Sequence, residues 1–251
     1  MLEVQNLTKS YGSKVAVDDL SFTVHDGDIF GFIGSNGAGK TTTIKAIAGI
    51  HSFNSGEILI NGLSIRTQPL ECKKIMAYIP DNPDIYEFMT GQRYINFVAN
   101  IFGVSQKRRL RLTKKYSDGL ELTDALASPI SSYSHGMKQK LTLIAALVHQ
   151  PKLLLLDEPF VGLDPRAAYT LKEYMHELTA LGSAIFFSSH GLEVVQKLCN
   201  RIAIIQNGRL VECGETEEIT GKKSLEDVFL ELTEDESSPD AAAAGAEGGL
   251  Q

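Results

Sequence analysis

A glycine-rich loop followed by lysine and threonine is the first segment of this chain whose residues could do chemistry. Residues 34–41 read GSNGAGKT and fit the pattern G-x-x-x-x-G-K-S/T in full, after an apolar run and before a predicted helix. Glycines let backbone N–H groups surround a phosphate, and the helix N-terminus adds partial positive charge. Lys40 is therefore expected to reach the β- and γ-phosphates of a nucleotide, and the Thr41 hydroxyl to bind Mg²⁺. The residues expected to contact the nucleotide here are Gly34, Ser35, Asn36, Gly37, Ala38, Gly39, Lys40, Thr41 and Thr42.

Two adjacent carboxylates form the second half of the predicted site. Asp157 and Glu158 directly follow four leucines, 153–156, which read as a buried strand. Ligands of open α/β sheets bind at the carboxyl ends of strands. We expect Asp157 to hold Mg²⁺ and Glu158 to act as the general base for the water that attacks the γ-phosphate. Alone, such a pair fits a solvated turn; together with the phosphate loop it indicates a Mg²⁺-dependent nucleoside triphosphatase, and the family resemblance given below implies that the nucleotide is ATP.

The elements that must position these groups follow from hydrophobic periodicity. Apolar residues alternate with polar ones over residues 2–24, which predicts antiparallel strands, and residues 29–33 read as a buried parallel strand. Helical spacing dominates from about 83 to 150, and buried strands resume at 153. The predicted fold class is α/β: a P-loop NTPase sheet core, an N-terminal antiparallel β subdomain and an inserted α-helical subdomain. Residues 1–232 form one predicted nucleotide-binding unit, and 233–251 a disordered tail rich in Ala, Gly, Glu and Ser.

Composition excludes several other classes of protein. The 251 residues carry a formal net charge of -7, which argues against sequence-independent nucleic-acid binding. The basic run 107–111 is interpreted as a solvated helix face, with a local basic patch as the alternative. The three cysteines are far apart and lack CxxC spacing, so neither a disulfide framework nor a zinc site is expected. No segment approaches the roughly 20 apolar residues of a membrane span, so this chain is not expected to form a membrane pathway by itself.

A short segment before the acidic strand narrows the class of triphosphatase. Residues 133–139 read YSHGMKQ and resemble the LSGGQ signature of ATP-binding cassette (ABC) proteins. The other family motifs occur in order: an aromatic residue at Tyr11, the D-loop sequence GLD at 162–164 and the sequence SSH ending at His190. The chain therefore resembles an ABC cassette over essentially residues 1–232.

The resemblance implies roles for residues outside the two nucleotide motifs. Tyr11 would stack on adenine, and His190 would contact the γ-phosphate and the attacking water, acting with Glu158 and Lys40 in catalysis. Ser134 and Gly136, at a predicted helix start suited to anions, would bind the γ-phosphate of the nucleotide held by a second cassette. Asp164 of the D-loop is also placed among the nucleotide-binding residues. Two such cassettes would enclose two ATP molecules with two-fold symmetry.

Two residues depart from the family pattern. His135 stands where the signature has glycine, so a side chain must fit near the nucleotide. Asp81 stands where the Q-loop has glutamine, within AYIPDNP at 77–83. Aspartate can ligate Mg²⁺ or accept a hydrogen bond from water, but when ionised it donates none. We place Asp81 among the metal ligands, and a plain turn aspartate remains the alternative.

Two classes of ABC machine remain in competition. A single cassette with a compact helical insert and no zinc spacing favours a transporter subunit over a soluble ATPase acting on ribosomes or DNA. The implied partners are an integral membrane permease and a second cassette, with no nucleic acid, at the cytoplasmic face of the cell membrane. The resemblance implies that a short helix of the permease docks on the block just after Asp81, which contains Ile85, Tyr86, Phe88, Met89 and Tyr94. The alternative is that these side chains are core, as several of them must be. The closing segment 224–232 and the variant signature resemble exporters, with an importer as the alternative. The sequence indicates neither which cargo is transported nor whether the dimer is a homodimer or a heterodimer.

Overall fold

The secondary structure comes from a computed structural model that describes residues 1–234. The strands are β1 (Leu2–Tyr11), β2 (Lys14–Val24), β3 (Ile29–Ile33), β4 (Ser55–Ile60), β5 (Leu63–Ser64), β6 (Met76–Ile79), β7 (Leu153–Asp157), β8 (Ala184–Ser189), β9 (Arg201–Gln206) and β10 (Arg209–Glu215). The α-helices are α1 (Lys40–Ile47), α2 (Pro69–Ile75), α3 (Gly91–Ile101), α4 (Gln106–Gly119), α5 (His135–His149), α6 (Pro165–Ala180), α7 (Leu192–Leu198), α8 (Thr216–Thr220) and α9 (Leu225–Glu234).

A six-stranded sheet forms the centre of the molecule, in the order β10-β9-β3-β8-β7-β6. Its strands run parallel except for the antiparallel β9–β10 pair. Every residue of β3 and β7 is buried, because both faces of the sheet are covered. Alternate residues of β7 therefore enter two different hydrophobic clusters, with Leu153 and Leu155 in one and Leu154 and Leu156 in the other.

A second, antiparallel sheet covers one face of the first, in the order β2-β1-β4-β5. Four phenylalanines fill the space between the sheets, with ring centroids 5.2–5.7 Å apart in the contacting pairs. They are Phe22 of β2, Phe30 and Phe32 of β3, and Phe186 of β8. This packing fixes the end of β3, from which the phosphate loop begins.

Helices α3, α4 and α5 all fall between β6 and β7 in the chain. Their inner faces pack together around residues such as Ile95, Leu112 and Leu141, on the opposite face of the central sheet from β1 and β2. We propose that residues 83–150 form the inserted helical subdomain. The predicted α/β fold class is confirmed by these two sheets and their helices.

The structure describes the end of the chain as far as residue 234. Residues 233 and 234 were expected to belong to a disordered tail, but they are the last two residues of α9. The rest of that expected tail, 235–251, lies outside the described residues. Within the described range, no helix is both long and apolar enough to cross a bilayer.

Candidate nucleotide site

The phosphate loop joins the buried strand β3 to α1. Gly39, the residue before α1, has φ +110°, and a Cβ there would lie 2.5 Å from the carbonyl oxygen of Ala16. Only glycine fits this position, on grounds of both backbone conformation and space. Lys40 is 8% exposed, and its ammonium donates to the carbonyl oxygens of Gly34 (2.6 Å) and Ser35 (3.0 Å). Burial lowers the Lys40 pKa, and the charges of Glu158 and Asp157 oppose that effect.

A buried serine holds the two carboxylate positions together. Asp157, the last residue of β7, pairs in the sheet with Ser188 of β8. The Ser188 hydroxyl donates to Asp157 Oδ1 at 2.5 Å and accepts the backbone N–H of Glu158 at 3.2 Å. Asp157 is 2% exposed, and none of the described residues gives its Oδ2 atom a hydrogen-bond partner. That oxygen is available to a cation or to water.

Glu158 turns the chain sharply at the end of β7. Its φ of +48° lies in the left-handed region, which is uncommon for a residue with a side chain and is often found at functional sites. Its Oε2 atom lies 3.0 Å from Nδ1 of His190, which follows β8. The Glu158 side chain is 19% exposed and that of His190 66% exposed, so the pair lies where bound water could reach it.

A cavity of about 410 Å³ borders the phosphate loop, the aromatic residue Tyr11 and the carboxylates of Asp81 and Glu158. The sequence-predicted residues that line it are Tyr11, Asn36, Gly37, Gly39, Lys40, Thr41, Thr42, Asp81 and Glu158. Lys14 and Ala16, which the sequence did not single out, also line it. Gly34, Ser35, Ala38, Asp157 and His190 belong to the surrounding loop and strand ends and are not among the lining residues. The structure therefore brings the aromatic residue, the loop and two carboxylates around one space.

Tyr78 lies near the carboxylates of Asp157 and Asp81 but does not line the cavity, and the sequence did not single it out. It lies in β6, and burial raises its pKa, with further contributions from the charges of Asp157 and Asp81. Asp81 follows β6 in an exposed turn, where its Oδ1 accepts the Asn82 N–H at 2.8 Å. The pairing of β6 with β7 brings Tyr78 to the acidic strand, and that pairing cannot be read from residue types.

The signature segment lies apart from this cavity. Ser134 caps α5 by accepting the Met137 N–H at 3.3 Å, and neither Ser134 nor Gly136 lines the cavity. A Cβ on Gly136 would lie 2.6 Å from the carbonyl oxygen of Gly162. The His135 ring lies against the same glycine, because its Cδ2 atom is 2.8 Å from where a Gly162 Cβ would be. The side chain that replaces the signature glycine is thus directed toward the D-loop of its own chain.

Asp164 is held away from the cavity of its own chain, although it was expected among the nucleotide-binding residues. Its carboxylate caps α6 by accepting the Ala167 N–H at 2.9 Å and pairs with Lys140 of α5 at 2.7 Å. The hydrogen bond from Lys140, followed by the one from Ala167, holds the Asp164 pKa below its usual range. The D-loop and the signature helix are therefore joined within one subunit.

Comparison with known proteins identifies the family. The sequence profile described as ABC transporter matches residues 17–161, which is more than half of the chain. The chain belongs to the ABC transporter family. Its ATP-binding role and its class as an ABC-type ATPase follow from that membership, and they confirm the resemblance based on the signature segment and the phosphate loop.

Relatives of this ABC chain are themselves described as transporter ATP-binding proteins. The uncharacterized ABC transporter ATP-binding protein YhcH of Bacillus subtilis is 38% identical over 214 residues, covering 84% of this chain and 69% of that protein. The linearmycin resistance ATP-binding protein LnrL of the same organism is 32% identical over 233 residues, covering 93% and 75%. These relatives favour the transporter class over the soluble class.

Solved structures agree with this assignment. A solved ATP-binding subunit of an ABC transporter is 35% identical, with a TM-score of 0.90 over 93% of this chain and 99% of that chain. A dimeric cassette in a post-hydrolysis state, bound to ADP and Pi, is 19% identical with a TM-score of 0.78, covering 86% of this chain and 99% of that chain. At that identity the second likeness supports the fold alone, and it confirms the P-loop NTPase architecture.

Proposed function

We propose that this chain hydrolyses ATP in order to power export through a separate membrane subunit. The observation that carries the proposal is the Glu158–His190 pair, 3.0 Å apart at the end of β7, beside the cavity that Lys40 and Thr41 line. A carboxylate in this place can accept the proton of a water that attacks the γ-phosphate, and the imidazole can orient both. The backbone N–H groups and Lys40 supply positive charge to the phosphates.

The residues near the phosphate loop fit a Mg²⁺ ion. Thr41, which carries a hydroxyl, lines the cavity, and Asp157 Oδ2 is a buried carboxylate oxygen without a hydrogen-bond partner among residues 1–234. Asp81 adds an exposed carboxylate at the cavity edge. Hydroxyl and carboxylate oxygens are the ligands that Mg²⁺ prefers. A bound Mg²⁺ would neutralise phosphate charge, and we assign Thr41, Asp157 and Asp81 to it, the last two directly or through water.

A second cassette would complete each site. Ser134 and Gly136 begin the 15-residue helix α5, and Ser134 is exposed yet outside the cavity of its own chain. A helix N-terminus that lies outside the cavity of its own chain is suited to the γ-phosphate held by another copy or a homologous cassette. Closure of that dimer on ATP, and its reopening on hydrolysis, would move the helical part relative to the sheet.

The dimer can be tested with two substitutions, Glu158→Gln alone and Glu158→Gln combined with Ser134→Arg. Glu158→Gln removes the base but keeps the size of the side chain, so the protein should accumulate with ATP bound. In size-exclusion chromatography with light scattering, ATP should then convert this variant to a species of twice the monomer mass. Ser134→Arg blocks the proposed contact of α5 with the nucleotide of the second cassette. The double variant Glu158→Gln/Ser134→Arg should therefore stay monomeric. A Glu158→Gln protein that stays monomeric at saturating ATP contradicts the closed-dimer proposal.

An apolar groove is the proposed docking place for the membrane subunit. It has a volume of about 410 Å³ and is lined by residues of β6, α3 and α5 and of the segment after Asp81, including Ile85, Tyr94 and Val98. Tyr86 and Phe88, at 50% and 80% exposure, extend this apolar surface, with ring centroids 5.8 Å apart. Met89 instead packs against the core. A short helix of an integral permease fits such a groove and would place the chain at the cytoplasmic face of the membrane.

Affinity purification from membranes tests the partner. The wild-type chain should recover an integral membrane protein, whereas recovery of ribosomes would support the soluble class instead. Phe88→Asp should reduce recovery of the membrane protein, because it puts a charge on the exposed surface beside the groove. Leu181→Asp is the matched control, since Leu181 is 72% exposed and lies after α6. Equal recovery by the two variants would contradict the proposed docking place.

Export rather than import is supported by LnrL, whose name associates it with resistance to linearmycin.

A further inference from the structure

The aromatic residue at the cavity entrance is held by a histidine from a different element. Tyr11 ends β1 and is 46% exposed, so core packing alone does not fix its ring. Its hydroxyl lies 2.6 Å from Nδ1 of His51, and the two rings meet edge to face with centroids 6.0 Å apart. With the phenol as donor, the imidazole carries its own proton on Nε2.

His51 is itself attached to the phosphate-loop helix. It follows the C-terminal end of α1, and its backbone N–H donates to the carbonyl oxygen of Lys45 in that helix at 3.2 Å. The next residues bind the end of β1 as well: Asn54 Oδ1 accepts the Ser10 N–H at 2.7 Å, and the Asn54 N–H donates to the Thr8 carbonyl at 2.9 Å. The segment after α1 therefore connects the strand that carries Tyr11 to the helix that begins at Lys40.

A further contact of the Tyr11 ring also comes from outside the cavity. The Lys9 ammonium lies 4.8 Å from the ring centroid, over one face. Tyr11 lines the cavity, whereas Lys9 and His51 do not. The ring is thus supported by neighbours that leave the cavity side free for a ligand.

We propose that His51 is a positioning residue for the nucleotide base, holding the Tyr11 ring at a set distance from the phosphate loop. This inference rests on the proposed function, because it takes the cavity to hold ATP with its base at Tyr11. The N-terminus of α1 would bind the phosphates, and the segment after its C-terminus would fix the aromatic surface for the adenine. A ring held before binding loses less conformational freedom when the base stacks on it.

Two substitutions at position 51 separate this role from a general structural one. His51→Asn keeps an acceptor, because Asn Oδ1 occupies nearly the place of His Nδ1, whereas His51→Leu removes it at similar size. Loss of one positioning hydrogen bond should weaken ATP binding by about 3- to 10-fold in His51→Leu and little in His51→Asn. Isothermal titration with ATP, and with inorganic tripolyphosphate as the probe that lacks a base, measures both effects. Tripolyphosphate affinity should stay at the wild-type value, and the KM for ATP should rise with little change in kcat.

A double-mutant cycle with Tyr11→Phe tests the hydrogen bond itself. Tyr11→Phe keeps the ring and loses the hydroxyl, so it should match His51→Leu, and the double variant should bind ATP no more weakly than either single variant. Any of three results would overturn this inference while leaving the proposed function intact. They are wild-type ATP affinity in His51→Leu, an equal loss of tripolyphosphate affinity in that variant, and losses of ATP affinity that multiply in the double variant. If Lys40→Ala binds ATP as tightly as the wild type, the proposed function fails and this inference fails with it.

Discussion

Replacing Ser188 with alanine should damage both the stability and the activity of this chain. Ser188 is fully buried and makes two hydrogen bonds, one to the Asp157 carboxylate at 2.5 Å and one from the Glu158 N–H at 3.2 Å. A hydrogen bond to a charged group contributes about 1.5–3 kcal/mol, and a neutral one about 0.5–1.5 kcal/mol. The substitution leaves a buried carboxylate oxygen and a backbone N–H without these partners. We therefore expect a loss of about 2–4 kcal/mol in the free energy of unfolding.

The effect on catalysis follows from the same two bonds. Ser188 connects the position of the expected metal ligand Asp157 to the backbone of the expected base Glu158. Small displacements of reacting groups reduce rates strongly, so kcat should fall about tenfold or more. Urea unfolding and steady-state ATP hydrolysis on the same protein preparation measure the two effects.

Ser189→Ala is the matched control for this substitution. Ser189 is 6% exposed, and its hydroxyl accepts one neutral hydrogen bond, from the Gly191 N–H at 3.0 Å. Its loss should cost only about 0.5–1.5 kcal/mol. If Ser188→Ala costs no more stability than Ser189→Ala, or if it leaves kcat unchanged, the buried bridge between the two carboxylate positions does not have the role described.

Two further predictions concern the stability of the fold. His149 stacks on Phe102 with centroids 3.8 Å apart, and burial, with a further contribution from a nearby arginine, lowers its pKa from 6.5 to about 4. The neutral histidine therefore stabilises the fold above pH 6.5, and this contribution is lost as pH falls toward 4. Between pH 7 and pH 5 we expect the free energy of unfolding of the wild type to fall by about 2 kcal/mol more than that of His149→Gln, as measured by urea unfolding. In β3, a Cβ on Gly31 would lie 2.7 Å from Val195 Cγ1, so Gly31→Ala should destabilise the protein by about 1–3 kcal/mol, and Val195→Ala should restore part of that in the double variant. Parallel pH profiles for the wild type and His149→Gln, or strictly additive costs for the Gly31 pair, would contradict these predictions.

Short-range patterns were enough to predict the two nucleotide motifs and the fold class. The phosphate loop depends on contiguous residues, and the leucine run before Asp157 already indicated a buried strand. Helix α1 follows that loop directly, beginning at Lys40. The alternation over residues 2–24 correctly predicted two antiparallel strands.

Contacts between distant segments could not be predicted in this way. The short strand β6 places Tyr78 beside the acidic strand only because β6 pairs with β7, and a four-residue apolar run does not specify its partner. The Lys140–Asp164 ion pair and the approach of His135 to Gly162 depend on how α5 packs near the D-loop. The Tyr11–His51 bond joins residues 40 positions apart, and neither residue type indicates the other.

Single-turnover hydrolysis of ATP by Glu158→Gln measures whether Glu158 is the general base. Glutamine keeps the size of the side chain but cannot accept the proton of the attacking water, and a general base contributes about 10²–10⁴-fold to the rate. We expect a rate at least about 100-fold below that of the wild type, with ATP affinity unchanged within about twofold. A Glu158→Gln protein that hydrolyses bound ATP at the wild-type rate would show that Glu158 is not the base.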